Sequence, residues 1–399
     1  MGDEERVKLS VGQEQLSKGL QTVGRAVAQR SPLPITSNIL LETDGETGGS
    51  RLKLSATNLE IAITTWIEAG VDQPGKVTLP ARLLTEFVNA LPNETVTLSV
   101  KPAGHTCHVK AARFEADIKG MDAEEFPRIP TADEQPTAEI GAGLLKAMIE
   151  QVAFAAAADD TRPVLTGVQC TFRDNELTLA AADSFRLAIR SGSLGGDSGG
   201  DFSIIVPART LTELSRILPE RAGDEEVSVA ITVTPNRSQV VFQAPNLHVI
   251  SRLIEGAFPN VKQLVPNKFQ TTVTVNTADF LKAARVASFF SRDNSNMILL
   301  DLNPQVEGAQ STNGAALTVT GAAAEVGENH GDLDAVVVGE QMHIAFNARY
   351  VADVLGVIQT PQVDLQLTGP GTAAVIRPSD PAADAGEYTH VVMPIQTAH

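Results

Sequence analysis

The strongest constraint on this chain is a fifteen-residue phrase that occurs three times. VTLPARLLTEFVNAL begins at Val77, IIVPARTLTELSRIL at Ile204 and IAFNARYVADVLGVI at Ile344. Each copy opens as a short β-branched strand, meets a Pro-Ala-Arg or Asn-Ala-Arg turn, and continues with apolar residues at helical spacing. Pro80 and Pro207 suit the start of a helix, where a missing N–H costs nothing, and Asn347 is a good N-cap. Three copies at spacings of 127 (77 to 204) and 140 (204 to 344) residues imply a triplicated domain.

The rest of the chain repeats with the same period. Amphipathic helices are expected near 12–28, 141–156 and 278–292, with Lys18, Lys146 and Lys282 at the same place in each. Leu16, Leu20, Val23 and Val27 form the apolar face of the first. β-Branched runs follow each helix, then the phrase, then further strands. EEFPRIP at 124–130 closes the first unit, and GAFPNVKQLVP closes the second, with Phe258-Pro259 132 residues after Phe126-Pro127. Each unit reads as α-β-β-β-α-β-β-β, two helices against a sheet, an α+β architecture. The expected domains are 1–133, 134–269 and 270–399.

With 399 residues, one ordinary core is too small and two to four domains fit. A hydrophobic share of 43% and no apolar run of eighteen residues argue for a globular chain that does not span a membrane. The start MGDEERVKLS lacks the features of a secretory signal, and two cysteines, Cys107 and Cys170, build no disulfide framework, so a cytoplasmic home is expected.

A net charge of −17 argues against a surface coated with cations, but not against a basic stripe inside an acidic shell. Over the expected helices (12–30, 81–91, 142–158, 208–218, 278–292 and 348–358), eleven Lys and Arg stand against six Asp and Glu. The helices thus carry about +5 and the rest of the chain −22. Solvated helix faces give the same count.

Nothing in the sequence has the pattern of a catalytic set. GPGTAA at 369–374 lies between strands and reads as a hairpin turn, not a phosphate cradle. His105, Cys107 and His108 alternate along a strand with no second ligand pair nearby, so no metal is expected. Asp159, Asp160 and Asp183 are the one carboxylate group that acid–base chemistry could use. No nucleophile accompanies them, and loop and turn roles fit better. No cofactor is expected.

Over about residues 7–396 the chain resembles the bacterial DNA sliding clamp family, the β subunit of DNA polymerase III. The resemblance rests on RSPLPITSNILL, on LPARLLTEFVNALP and VPARTLTELSRILP, and on ADSFRLA against the family's T-D-G-H-R-L-A. EGAFPNVKQLVP, FNARYVADVL and the ending HVVMPI complete it. It implies a non-enzymatic processivity factor: a head-to-tail homodimer of six clamp domains, closed into a ring around duplex DNA. Implied partners are double-stranded DNA, a second copy, the polymerase III catalytic subunit, an ATP-dependent clamp loader, and other polymerases and repair proteins with clamp-binding motifs.

The resemblance also implies sites. Lys18, Arg25, Arg30, Arg82, Lys146, Arg209, Arg216, Lys282, Arg285 and Arg349 would face DNA, with Arg30 first among them. A partner-peptide pocket would use Leu165, Ala182, Arg186, Leu187, Pro259, Leu264, Asn347, Tyr350, Val375, Val391, Met393 and Pro394. Leu187 and Val391 serve a plain core equally well. Ser184-Phe185, Gln263, Asn294 and Gln396 depart from the family pattern, which implies an altered pocket edge. Phe114 with Phe289 or Phe290 would make the apolar contact of the dimer, core packing being the other use of a Phe pair.

Overall fold

A computed structural model describes residues 7–28, 32–44, 51–100, 104–130, 135–196, 200–218, 221–222, 225–292, 294–304, 315–323, 325–380 and 387–396. Among them six α-helices form: α1 Gln13–Gly24, α2 Ala81–Ala90, α3 Ala142–Val152, α4 Ala208–Ile217, α5 Thr277–Phe289 and α6 Ala348–Val357. The triplicated phrase folds as read. Lys76–Pro80, Phe202–Pro207 and Met342–Asn347 are strands that turn directly into α2, α4 and α6. At the third copy the Asn347 side chain accepts the Arg349 N–H at 2.9 Å, filling one of the four unpaired donors at a helix start.

Each repeat also opens on a strand, so the helix-first order expected from the sequence needs correction. Val7–Gly12, Ala138–Gly141 and Thr271–Asn276 run into α1, α3 and α5 just as the phrase runs into its helices. These strands are short, and in the first only Val7, Leu9 and Val11 turn inward. The first helix is also shorter than expected. It ends at Gly24, where a residue without Cβ is poorly held in a helix, and Arg25 becomes its C-cap. α3 stops at Val152 and gives way to a 3-10 turn, Ala153–Ala155.

The described chain divides into two compact units: residues 1–143 with 216–253, and residues 144–215 with 254–399. The second repeat is therefore split, because each half completes a neighbour's sheet. In unit one, Leu247–Arg252 pairs antiparallel with Ile61–Glu68, from Leu247 opposite Thr65 to Ser251 opposite Ile61. This joins an eight-stranded sheet that runs from Ala138–Gly141 to Lys76–Pro80. In unit two, Arg186–Ser193 pairs with Tyr388–Val392, from Arg186 opposite Val392 to Arg190 opposite Tyr388, inside a nine-stranded sheet.

Helix α1 packs on the eight-stranded sheet and α5 on a separate four-stranded sheet that holds Leu317–Ala323. In α1, Leu16, Leu20 and Val23 are buried, and Gln13 and Ser17 bond across to α2 at the Val88 carbonyl (2.8 Å) and Asn89 Oδ1 (2.6 Å). In unit two α5 lies so close to the strand Leu317–Ala323 that a Cβ on Gly321 would stand 2.2 Å from the Ala287 carbonyl oxygen. Glycine is required there for the approach of helix to strand.

Candidate functional site

The densest polar and aromatic grouping among the described residues lies in unit two, at the turn joining Glu176–Ala182 to Arg186–Ser193. Asp183 Oδ1 accepts the N–H groups of Phe185 (2.7 Å) and Arg186 (2.9 Å), which fixes the turn. Its other oxygen accepts Arg186 Nε–H at 3.1 Å. The guanidinium then reaches Asp353 Oδ2 at 2.6 Å and the Phe154 carbonyl at 2.8 Å. It also lies over two rings, 4.5 Å from the Tyr350 centroid and 5.3 Å from that of Phe154. Every edge of the guanidinium is thus committed to holding three segments together.

Beside this anchor is an apolar floor. Ala180, Ala182, Leu187, Val261, Val375 and Val391 form one buried cluster, with Phe258, Val265 and Phe269 packed against it. Around the floor stand apolar side chains that water still reaches: Phe185 is 56% exposed, Leu264 52% and Met393 43%. The Phe185 ring stacks on Tyr350 (centroids 6.4 Å apart, 24° between planes), and its carbonyl accepts the Met393 N–H at 2.8 Å. The result is an apolar floor with an adaptable thioether and two aromatic rings near it.

The structure places the pocket residues expected from sequence as follows. Ala182, Leu187, Val375 and Val391 share the floor, and Leu165 is buried in the 3-10 turn Pro163–Thr166. Arg186 and Tyr350 touch, Asn347 caps α6, Pro259, Leu264 and Met393 are exposed, and Pro394 is half-buried. Sequence reading missed Asp353 and Phe154, which hold Arg186, and Phe258, Val261 and Val265, which close the floor. For Asp353 a signal existed, since it lies three residues after Tyr350 and so on the same side of α6. At the departures, Ser184 Oγ accepts from the Arg162 guanidinium, and Asn294 Nδ2 donates to the Ala322 carbonyl at 3.3 Å. Gln263 and Gln396 are exposed.

The expected cations are spread over the helices. Lys18, Arg25, Arg82, Arg209, Arg216, Lys282, Arg285 and Arg349 are exposed, while Lys146 is half-buried; Arg30 lies outside the described residues. Lys18 bonds Glu14 and Arg82 bonds Glu86, each at 2.8 Å one turn away. The six observed helices hold eight Lys or Arg against six Asp or Glu, a smaller excess than expected. The difference comes from helices ending earlier, which leaves Arg25 and Arg292 just beyond them. Phe114 begins the edge strand Phe114–Lys119 and Phe289 ends α5; both are 57% exposed. Phe290 is half-buried at the helix C-cap.

Asp183, Asp159 and Cys107 are tied into the local fold. Asp183 uses both oxygens in its turn, and Asp159 Oδ1 accepts the Thr161 N–H at 3.1 Å. Cys107 is buried, which pushes its thiol up to about 12, and His108 turns to the other face to meet Asp117 at 2.8 Å.

Comparison with known proteins agrees along the whole length. Models of the DNA polymerase III beta subunit match in order: the N-terminal domain at residues 7–130, the central domain at 139–260 and the C-terminal domain at 262–396. The beta sliding clamp of Synechococcus elongatus is 33% identical over 392 residues, covering 98% of this chain and 99% of that protein. That of Bacillus subtilis is 30% identical over 405 residues, covering 98% and 100%. The crystal structure of the Bacillus subtilis sliding clamp superimposes with a TM-score of 0.87 at 29% identity, over 98% of this chain and all of that one. A Pseudomonas aeruginosa DnaN sliding clamp bound to griselimycin gives 0.84 at 26% identity, with the same coverage. The chain belongs to the DNA polymerase III beta-subunit family, the bacterial sliding clamps.

Proposed function

We propose that two copies of this chain close head to tail into a ring around duplex DNA and tether a polymerase to it. The observation that carries this reading is the end-to-end match to three successive clamp-domain models. In this reading the domains are 1–133, 134–269 and 270–399. The protein performs no chemistry; its work is to convert a dissociating polymerase into one that stays on its template.

DNA is held by topology and by cations that meet phosphates without reading bases. Lys18, Arg25, Arg30, Arg82, Lys146, Arg209, Arg216, Lys282, Arg285 and Arg349 take that part. Such contacts are independent of sequence and weaken with salt, by a log–log slope of about 0.9 per phosphate neutralised. A small cation surplus suits sliding, because tight contacts would stop the ring. The acidic remainder of the chain discourages DNA from binding elsewhere.

Partners dock by a short extended peptide on the apolar floor beside Arg186. Apolar side chains enter over Leu187, Val375 and Val391, and Met393 and Leu264 adjust around them. The polymerase III catalytic subunit, an ATP-dependent loader, other polymerases and repair proteins would share this one site in turn, in the cytoplasm. Phe114 and Phe289 supply apolar contact between copies.

Primer extension on a long single-stranded template tests the tether. With loader and polymerase III catalytic subunit present, the protein should lengthen products made per binding event at least tenfold. Met393→Glu, which puts a charge at the exposed rim, should abolish the gain. Equal product lengths with and without the protein would contradict the reading.

A further inference from the structure

In unit one, the joint between the first and second repeats reproduces the strand register of the apolar floor beside Arg186. Ala62 lies opposite Ile250, and Ile250 opposite Val241. Leu187 lies opposite Val391, and Val391 opposite Val375, in the same way. The preceding turn repeats as well. Asn58 Oδ1 accepts the N–H groups of Glu60 (3.0 Å) and Ile61 (2.9 Å), as Asp183 does for Phe185 and Arg186. Phe126-Pro127 stands where the second repeat has Phe258-Pro259, and Ile129 packs on Ala62, Val241 and Ile250.

A cleft of about 380 Å³ opens at this joint. That lies in the range of known ligand sites, roughly 300–1,000 Å³. Its character differs from that of the apolar floor. Lys53 pairs with Glu42 at 3.0 Å and Lys76 with Glu124 at 2.8 Å across its walls. Arg128 is an exposed third cation and makes no ion pair among the described residues. Trp66 meets His248 edge to face, with centroids 4.6 Å apart, and presents a half-exposed ring to the cleft. Burial and the nearby Lys53 hold the His248 pKa below its usual value, so at neutral pH this wall is aromatic and uncharged.

We propose that this cleft is a second docking site, and that its occupant is a short extended peptide carrying a carboxylate beside an aliphatic or aromatic side chain. Ile129 and Ile250 receive the apolar side chain, Trp66 offers a ring face, and Arg128 pairs with the carboxylate. Three cations against two carboxylates make a local positive site on a chain of net charge −17, which favours an acidic occupant and repels a basic one. That the occupant is a peptide rests on the peptide reading of the apolar floor beside Arg186, through the shared register.

Trp66 is the chain's single tryptophan, so its fluorescence reports on this cleft alone. The full-length protein is titrated with the capped tetrapeptide Asp-Asp-Leu-Phe, and with Lys-Lys-Leu-Phe as a control, while calorimetry counts sites. The expected result is a saturable Trp66 signal with the acidic peptide only, at least fivefold weaker in Arg128→Glu and unchanged in Met393→Glu. Absence of a saturable signal overturns the proposal. So does a signal lost in Met393→Glu and kept in Arg128→Glu, which would put all binding at the unit-two floor and leave the proposed function standing. Loss of one calorimetric site in Met393→Glu tests that other reading by itself.

Discussion

The guanidinium of Arg186 lies 4.5 Å from the centre of the Tyr350 ring while donating to Asp353 on the same helix, so one side chain ties the Asp183 turn to α6. Arg186→Ala leaves Asp183 and Asp353 without their cation and Tyr350 without its cover. Removing one member of a buried pair costs roughly 3–5 kcal/mol. Asp353 is exposed, so the loss here should be about 2–3 kcal/mol in urea unfolding. Arg186→Lys keeps the charge but not the fork and should recover less than half. A variant as stable as the parent would show that the anchor does not hold these segments.

His390 gives the fold a pH dependence of known sign. It is fully buried, neither ring nitrogen has a hydrogen-bond partner among the described residues, and it stacks on Phe154 at 5.7 Å. Burial, helped by Arg186, pushes its pKa down to about 3 from an ordinary 6.5. Below pH 6.5 the unfolded chain takes up a proton that the folded one refuses. Stability is therefore full above pH 6.5 and falls between there and about 3, by roughly 1.4 kcal/mol per pH unit for this group. His390→Phe, which keeps the stack, should flatten the slope of urea midpoints between pH 7.5 and 5.

Much of this was legible in the sequence, for particular reasons. The strand-to-helix joints at Pro80, Pro207 and Asn347 were readable because residue chemistry and periodicity change at one point. The floor residues Leu187 and Val391 were not separable from plain core, since burial looks the same in both uses. Asp353 and Phe154 were missed because their bonds to Arg186 cross 167 and 32 residues of sequence. The pairing of Leu247–Arg252 with Ile61–Glu68 was equally invisible, because nothing local marks which strand a free edge will meet. The helix charge was overcounted, since Gly24 ends α1 before Arg25.

Phe114 and Phe289 are too exposed to matter for each copy's own core. Phe114→Ser with Phe289→Ser should change unfolding stability by no more than about 0.5 kcal/mol. The same pair should shift sedimentation from dimer to monomer at micromolar protein. A dimer unaffected by both changes would remove these residues from the interface.

Gly321 sets the distance of α5 from its sheet. Gly321→Val drives its side chain into the Ala287 carbonyl of α5, forces the helix away from the strand and should cost about 1–3 kcal/mol. Because Phe289 ends that helix, dimerisation should weaken with it, which sedimentation of the same variant measures.

Retention by encirclement makes the topology of the DNA decisive. Loaded onto a nicked circular duplex by its loader and then gel-filtered, the protein should remain with the circle, and should leave within minutes once a single cut makes the DNA linear. Reversing exposed cations, as in Lys282→Glu with Arg285→Glu, should shorten retention on the circle without making linear DNA any better a substrate. Loss from circular and linear DNA at the same rate would contradict the account.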